Sequence, residues 1–337
     1  MSGRVAVIGA GSWGTAVAGV VSCNDEAVLW AREPDLARTM SEQRENPTYL
    51  PGVTLPESLR VTADLEEACR GADAVLFVVP SHGMREVVTR AADFIGPAVP
   101  IVSLAKGVEQ GTLQRMTEVI GEVLPTHLPD RIGVLTGPNL AREIAAGQPA
   151  ASVVAMRDEA SAHDLQLLTM TSTFRVYTNP DVVGCEIAGA LKNVMAIAAG
   201  IADGLGYGDN TKAALITRGL AELTRLGIAL GGNPLTFSGL AGMGDLVATC
   251  TSTQSRNRTV GVELGKGRNI DDVVADMKMV AEGVKSTAAV LELAQRHRVE
   301  MPIAEQVGAV LYEGKHAEDL VTALMLREAK AELHGIT

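Results

Sequence analysis

The stretch Gly184–Gly204, GCEIAGALKNVMAIAAGIADG, is almost wholly apolar or small, yet it carries Lys192 near its middle. Folded as a helix, it places Ala188 and Gly189 one turn before the lysine and Met195 and Ala196 one turn after. Such a smooth face lets another backbone or a ligand come close. An ammonium enclosed there loses hydration, which favours the neutral amine. That amine is a base able to take a proton from an alcohol. The competing reading is a lysine that snorkels its head to the surface past an apolar stem.

Three other stretches bear on that choice. SLAKGVEQGT puts Lys106 just after an apolar strand, at the strand end where α/β sheets bind ligands; alone it reads equally as a loop lysine. FSGLAGMGDLVATCTS puts Asp245 in a Gly-rich apolar turn with Thr249 four residues on. A carboxylate there can bond Lys192 or a substrate hydroxyl, or simply cap the next helix. TSTQSRNRTVG gathers Ser255, Arg256, Asn257 and Arg258, the hydroxyls, amides and guanidinium fork that a phosphate monoester needs. GPNLAREIAAG joins a strand to a helix; Gly137 permits close approach of a ligand, and Asn139 can cap the helix. Asn193, beside Lys192, and Thr249 complete the substrate-binding set.

RVAVIGAGSWGTAVAGVV spaces Gly9, Gly11 and Gly14 as GxGxxG between a strand and a helix. Gly9 allows the tight turn, Gly11 the approach of a pyrophosphate, and Gly14 the packing of helix on strand. The helix N-terminus adds free amides for phosphates. In this context the motif predicts dinucleotide binding. The second strand ends in ARE, where Arg32 can hold a 2′-phosphate and Glu33 can accept from a 2′-hydroxyl. The reading favours NADP(H) and leaves NAD(H) possible.

The elements that must position these residues fall into two classes. Up to about Asn179, β-branched runs alternate with helix-like stretches: RVAVIGAG, AVLWARE, DAVLFVVP, PIVSLAKG, RIGVLTGP, ASVVAM and FRVYT. Near-continuous apolar runs mean strands covered on both faces, hence a mostly parallel α/β sheet of the doubly wound, Rossmann type. A helix over Ala63–Arg70, capped by Thr62 or Asp64, fills one crossover. From Val182 on the strand signals stop. The rest reads as helices broken near Gly204–Asp209, Gly231–Pro234 and Gly239–Gly244. Two domains are predicted: a Rossmann-type domain over 1–179 and an all-helical substrate domain over 180–337.

Composition narrows the function further. The chain has 337 residues, 47% apolar but only 3% aromatic, so its cores rest on Ala, Val, Leu, Met and Gly. A net charge of −11 argues against a nucleic-acid partner. Cys23, Cys69, Cys185 and Cys250 form no CxxC pair, and no metal site is expected. Arg4 followed by an apolar run and VVSC superficially matches a lipoprotein signal, but GAGSWG interrupts that run. No later stretch offers ~20 uninterrupted apolar residues, so no membrane span is expected.

In order along the chain, VIGAGSWGTA, LWARE, VPSH, SLAKGVE, LTGPNLAREIAAG, EIAGALKNVMAIAAGIADGLGYGDNTKAALITRGLAE, LAGMGDLVATCTS, SRNRTVG and AEGVKS closely resemble the bacterial-type NAD(P)-dependent glycerol-3-phosphate dehydrogenases. The resemblance runs from Arg4 to about Gly314. It implies reversible reduction of dihydroxyacetone phosphate to sn-glycerol 3-phosphate for phospholipid synthesis, in a cytoplasmic homodimer. It implies that Lys192 donates and accepts the proton and that Lys106 contacts substrate and cofactor. By the same resemblance Gly137, Asn139, Asp245, Ser255, Arg256 and Asn257 line the substrate. Ser12, Trp13, Arg32, Ala141, Arg256, Val280 and Glu282 contact the nicotinamide cofactor. Two departures stand out: Asn139–Leu140 replaces the usual Ser or Thr and Phe, and SCNDEA before the second strand is short. The alternatives are a related two-domain β-hydroxyacid dehydrogenase and a non-catalytic NAD(P)H-sensing module.

Overall fold

The computed structural model describes residues 3–277, 281–329 and 331–332. Val280 therefore lies outside the described residues. The chain divides into two compact units, one made of the residues up to Lys106 with Gln114–Val182, the other of Gly107–Leu113 with Val183 onward. The sequence reading placed the change near Asn179 and assigned 107–113 to the first part. Contiguous sequence gives no sign of such an excursion. Within the second unit, Gln110 Nε2 donates to the Lys285 carbonyl at 3.1 Å.

The first unit holds strands β1 (Arg4–Ile8), β2 (Glu26–Trp30), β3 (Glu45–Asn46), β4 (Leu50–Thr54), β5 (Arg60–Thr62), β6 (Ala74–Phe77), β7 (Ile101–Ser103), β8 (Ile132–Thr136), β9 (Ala150–Ala155) and β10 (Phe174–Asn179). Its helices are α1 (Ser12–Val21), α2 (Pro34–Gln43), α3 (Leu65–Cys69), α4 (Met84–Ala91), α5 (Met116–Val123), α6 (Ala141–Ala145) and α7 (Glu159–Thr169). Eight strands form one sheet in the order β10-β9-β8-β7-β6-β1-β2-β5. All pairs are parallel except β8 with β9, which run antiparallel with Leu135 opposite Val154. Successive side chains point to opposite faces. Val5 and Val7 thus enter a core with Val17 and Val21 of α1 and Leu165 of α7. Ala6 and Ile8 enter a second core with α3, α4 and α5, including Ala68, Val88 and Ile120. Burial on both faces explains the unbroken apolar runs. β3 and β5 escape sequence reading because they are short and largely polar, and β4 because Pro51 and Gly52 break its apolar pattern. The α3 cap is Asp64, whose carboxylate accepts from the amides of Glu66 and Glu67.

From Val183 on, the regular elements among the second unit's described residues are helices: α8 (Val182–Gly204), α9 (Asp209–Ala229), α10 (Pro234–Phe237), α11 (Asp245–Thr251), α12 (Arg256–Gly265), α13 (Ile270–Ala275), α14 (Glu282–His297), α15 (Pro302–Tyr312) and α16 (Ala317–Met325). Leu240–Gly244, expected as a break, is a π-helical turn leading into α11. A Cβ on Gly242 would lie 2.1 Å from the Phe237 carbonyl oxygen, so the turn winds over that backbone. By length and composition α8 is long and apolar enough to cross a membrane, but Glu186, Lys192 and Asn193 interrupt its apolar run and 94% of its apolar window is buried inside the protein.

What α8 packs against explains its small residues. A Cβ on Gly200 would lie 2.1 Å from the Arg258 carbonyl oxygen, and one on Gly261 2.1 Å from that of Ile197. The backbones of α8 and α12 touch directly, and no larger residue fits. Elsewhere in this unit Glu222 of α9 is buried and accepts from the amides of Ile303 (2.8 Å) and Ala304 (3.3 Å) at the start of α15. Burial pushes its carboxyl up from 4.5 to about 7, against those amides and the nearby Arg225.

Two outcomes follow from this packing. Gly261→Ala should lose at least about 2 kcal/mol in urea unfolding, although alanine is the better helix former by about 1 kcal/mol; a gain in stability would contradict the contact. A carboxyl with a raised native value keeps a proton that the unfolded chain releases, so stability falls as pH rises from about 4.5 through about 7. Unfolding free energies should therefore drop between these limits by on the order of 3 kcal/mol more in the native chain than in Glu222→Gln; parallel curves would contradict this.

Candidate active site

In the first unit the Gly-rich turn follows β1 and opens α1. Gly9 has φ +120°, and a Cβ there would lie 2.8 Å from the Val78 carbonyl oxygen. A Cβ on Gly14 would lie 1.8 Å from Gly9 O, whereas one on Gly11 meets nothing within 4 Å. Two glycines are thus demanded by the chain itself, and the third leaves an open approach to the first amides of α1, which have no intrahelical carbonyl to bond. Trp13 packs edge-on to Phe174 with centroids 6.3 Å apart. Its Nε1 is buried and finds no partner among the described residues. An open glycine beside a buried, unanswered donor fits a bound dinucleotide. Ser12 Oγ donates to the Tyr49 carbonyl, so its hydroxyl anchors a loop.

Asn46 was missed by the sequence reading. Fully buried, it donates to the Ala10 carbonyl and to Thr15 Oγ1, both at 2.8 Å, and so braces the turn from below. In sequence it is one polar residue in RENPTYL, with nothing to mark it. At the end of β2, Arg32 pairs with Glu33 at 2.8 Å, their side chains 72% and 46% exposed. The two groups that were alternative ribose readers are thus bonded to each other, and an exposed pair of this kind is easily exchanged for a ligand.

Lys106 Nζ donates to the Gly137 carbonyl at 2.9 Å. Asn139 does not cap α6, whose N-cap is Leu140. Its Nδ2 donates instead to Ser152 Oγ at 3.2 Å, and its Oδ1 is buried with no partner among the described residues. Ala141 is the first residue of α6.

In the second unit Lys192 is 5% exposed. The snorkelling reading therefore fails. Its Nζ lies 2.8 Å from Asp245 Oδ1 and donates to Thr249 Oγ1. Thr249 in turn donates to the Asp245 carbonyl at 2.6 Å, so its lone pairs face the lysine. Asp245 is 1% exposed, and the N-cap of α11 is Gly244, which rules out the capping alternative. The simple picture of a bare desolvated amine is replaced by a buried ammonium with its counter-charge. Cys250, also buried here, has its thiol pushed up to about 12 by burial and is no nucleophile.

Asn257 Nδ2 donates to Asn193 Oδ1 at 2.9 Å, and its Oδ1 accepts from the Gly283 amide at 2.9 Å. The first turns of α12 and α14 are thereby tied to the residue next to Lys192, and Glu282 opens α14. Ser255 caps α12, accepting from the Arg258 amide at 3.2 Å. Arg256 follows on an exposed position. Arg258 instead pairs with Asp203 at 2.6 Å and serves packing. Among the described residues no group of three or more His, Cys, Asp or Glu is arranged to hold a metal.

The comparisons with known proteins agree with this arrangement. The family descriptions "NAD-dependent glycerol-3-phosphate dehydrogenase N-terminus" and "NAD-dependent glycerol-3-phosphate dehydrogenase C-terminus" match residues 4–162 and 181–322. An NAD(P)+ glycerol-3-phosphate dehydrogenase of Sphingopyxis alaskensis is 55% identical over 98% of both chains. One of Streptomyces coelicolor is also 55% identical over 98% of both. The crystal structure of glycerol-3-phosphate dehydrogenase from Coxiella burnetii superposes with a TM-score of 0.92 at 39% identity, covering 97% of this chain and 99% of that one. Two matched halves and relatives this similar over their full length leave one conclusion: the chain belongs to the NAD-dependent glycerol-3-phosphate dehydrogenase family.

Proposed function

We propose that this chain is an NAD(P)-dependent sn-glycerol-3-phosphate dehydrogenase that reversibly reduces dihydroxyacetone phosphate, with Lys192 as the proton donor. The observation that carries the proposal is the buried Lys192 ammonium held between Asp245 and Thr249. When bound, the reduced nicotinamide supplies the hydride for the ketone carbon. The amides at the start of α1, opened by Gly11, bind its pyrophosphate. An ammonium has three N–H groups; two go to Asp245 and Thr249, and the third is assigned to the ketone oxygen. It polarises that oxygen and gives it the proton as alkoxide charge develops. In the reverse direction the amine takes the hydroxyl proton back.

The phosphate is assigned to Arg256 and the first turn of α12, because a helix N-terminus and a guanidinium suit an anion. Ser255 and Asn257 fix that turn, and Asn193 couples it to Lys192. By the family resemblance, Lys106, Gly137 and Asn139 are the first unit's candidate ligand residues. Arg32, released from Glu33, favours the 2′-phosphate of NADP(H), while Glu33 leaves NAD(H) usable. Family membership also supports a homodimer working in the cytoplasm and supplying the glycerol backbone of phospholipids.

Reduced-nicotinamide absorbance with purified protein should fall with dihydroxyacetone phosphate and not with dihydroxyacetone, and faster with NADPH than with NADH. Arg256→Ala should raise KM for the phosphorylated ketone by about tenfold or more. Turnover of the unphosphorylated ketone at the same rate, or an unchanged KM, would remove the phosphate assignment.

The ion pair makes a separate prediction. Asp245→Ala strands a buried ammonium and should cost about 3–5 kcal/mol in urea unfolding. Lys192→Met combined with Asp245→Leu should recover most of that stability and remain inactive. Equal losses in the single and double variants would show that the two charges do not depend on each other.

A further inference from the structure

Ser152 is assigned no role by the motifs or by the mechanism above, yet it is fully buried in β9 beneath the turn that carries Gly137 and Asn139. Its hydroxyl has one proton, and that proton goes to the Thr136 carbonyl at 2.7 Å. What Ser152 offers to Asn139 is therefore a lone pair, and Asn139 must meet it with its NH2, 3.2 Å away. This fixes which way round the carboxamide sits. Oδ1 is turned away, buried, with no partner among the described residues. An unsatisfied buried acceptor costs about 1–3 kcal/mol, so the arrangement is complete only when a donor reaches it.

The same serine sets the height of the turn. A Cβ on Gly137 would meet Ser152 Cα at 3.1 Å, and the Gly137 carbonyl is the acceptor for Lys106 Nζ. We propose that Ser152 is a positioning residue that orients the Asn139 carboxamide so that Oδ1 accepts a hydrogen bond from an N–H or O–H of the bound ligand. The inference rests on the function proposed above. Two ligand groups have this chemistry: the carboxamide NH2 of the nicotinamide cofactor and the free hydroxyl of dihydroxyacetone phosphate.

Calorimetric titration tests this without turnover. Ser152→Ala, Asn139→Ala and the double variant are titrated with NADPH alone, and with dihydroxyacetone phosphate on enzyme saturated with NADP+, a pair that cannot react. Ser152→Ala should weaken one of the two ligands by about five- to tenfold, the equivalent of one oriented hydrogen bond. In the Asn139→Ala background the same substitution should change that affinity by less than about twofold. The weakened ligand identifies the donor. An equal loss in both backgrounds, or a lower melting temperature with both affinities unchanged, would overturn the proposal and leave Ser152 a packing residue. Failure of the native chain to reduce dihydroxyacetone phosphate would instead sink the proposed function, while the NADPH titration would still read Ser152.

Discussion

A charge taken out of water must be answered by another charge and by hydrogen bonds. Lys192 imposes this requirement on the second unit. Its ammonium lies on a helix lined with Ala, Ile, Val and Gly, where no solvent replaces a missing partner. Asp245 supplies the countercharge at 2.8 Å, and Thr249 supplies an oriented lone pair. Both sit on α11, one turn apart, so one short helix supplies both of these partners. The π-helical turn before α11 has a bearing on this, because it sets where Asp245 begins the helix. A pair this buried is poor value as a stabiliser, since hydrophobic residues of similar volume do as well. Its presence makes sense under the proposed chemistry, which needs a proton donor kept in place, with a fixed direction, shielded from water.

Small residues make that placement achievable. The backbones of α8 and α12 meet at Gly200 and Gly261, where any side chain would overlap a carbonyl oxygen. The contact carries the first turn of α12 toward Asn193, and the Asn257–Asn193 bond then sets its register. The first turn of α12 is therefore fixed to the helix that carries Lys192. In the first unit the glycines of the dinucleotide turn divide in the same way. Gly9 and Gly14 are required by the fold, while Gly11 is required only by what binds there.

Much of this was legible in the sequence because periodicity and composition report burial. The seven apolar runs became strands, and the anomalous Lys192 proved to be one half of a buried ion pair. Asp245 was legible only as one of two alternatives, because a carboxylate after a glycine suits a cap as well as an ion pair. Asn46, Ser152 and Glu222 were not legible. Each is a common polar residue whose importance comes from a partner distant in sequence: the Ala10 carbonyl, the Asn139 carboxamide and the first amides of α15. The grouping of 107–113 with the second unit was not legible for the same reason: Gln110 bonds the Lys285 carbonyl of α14, far away in the chain. Local sequence records which residues are buried, not which buried groups meet.

The central claim, that the Lys192 side chain itself delivers the proton, is tested most directly by chemical rescue. Lys192→Ala enzyme, loaded with reduced cofactor and dihydroxyacetone phosphate, would be assayed with a series of small primary amines of different basicity. The account predicts that ammonium forms small enough to enter the vacated space restore turnover in proportion to their concentration, with a rate that follows amine basicity. If the variant still binds both ligands and no amine restores turnover, or if it turns over unaided at close to the native rate, another group carries the proton and the account is wrong.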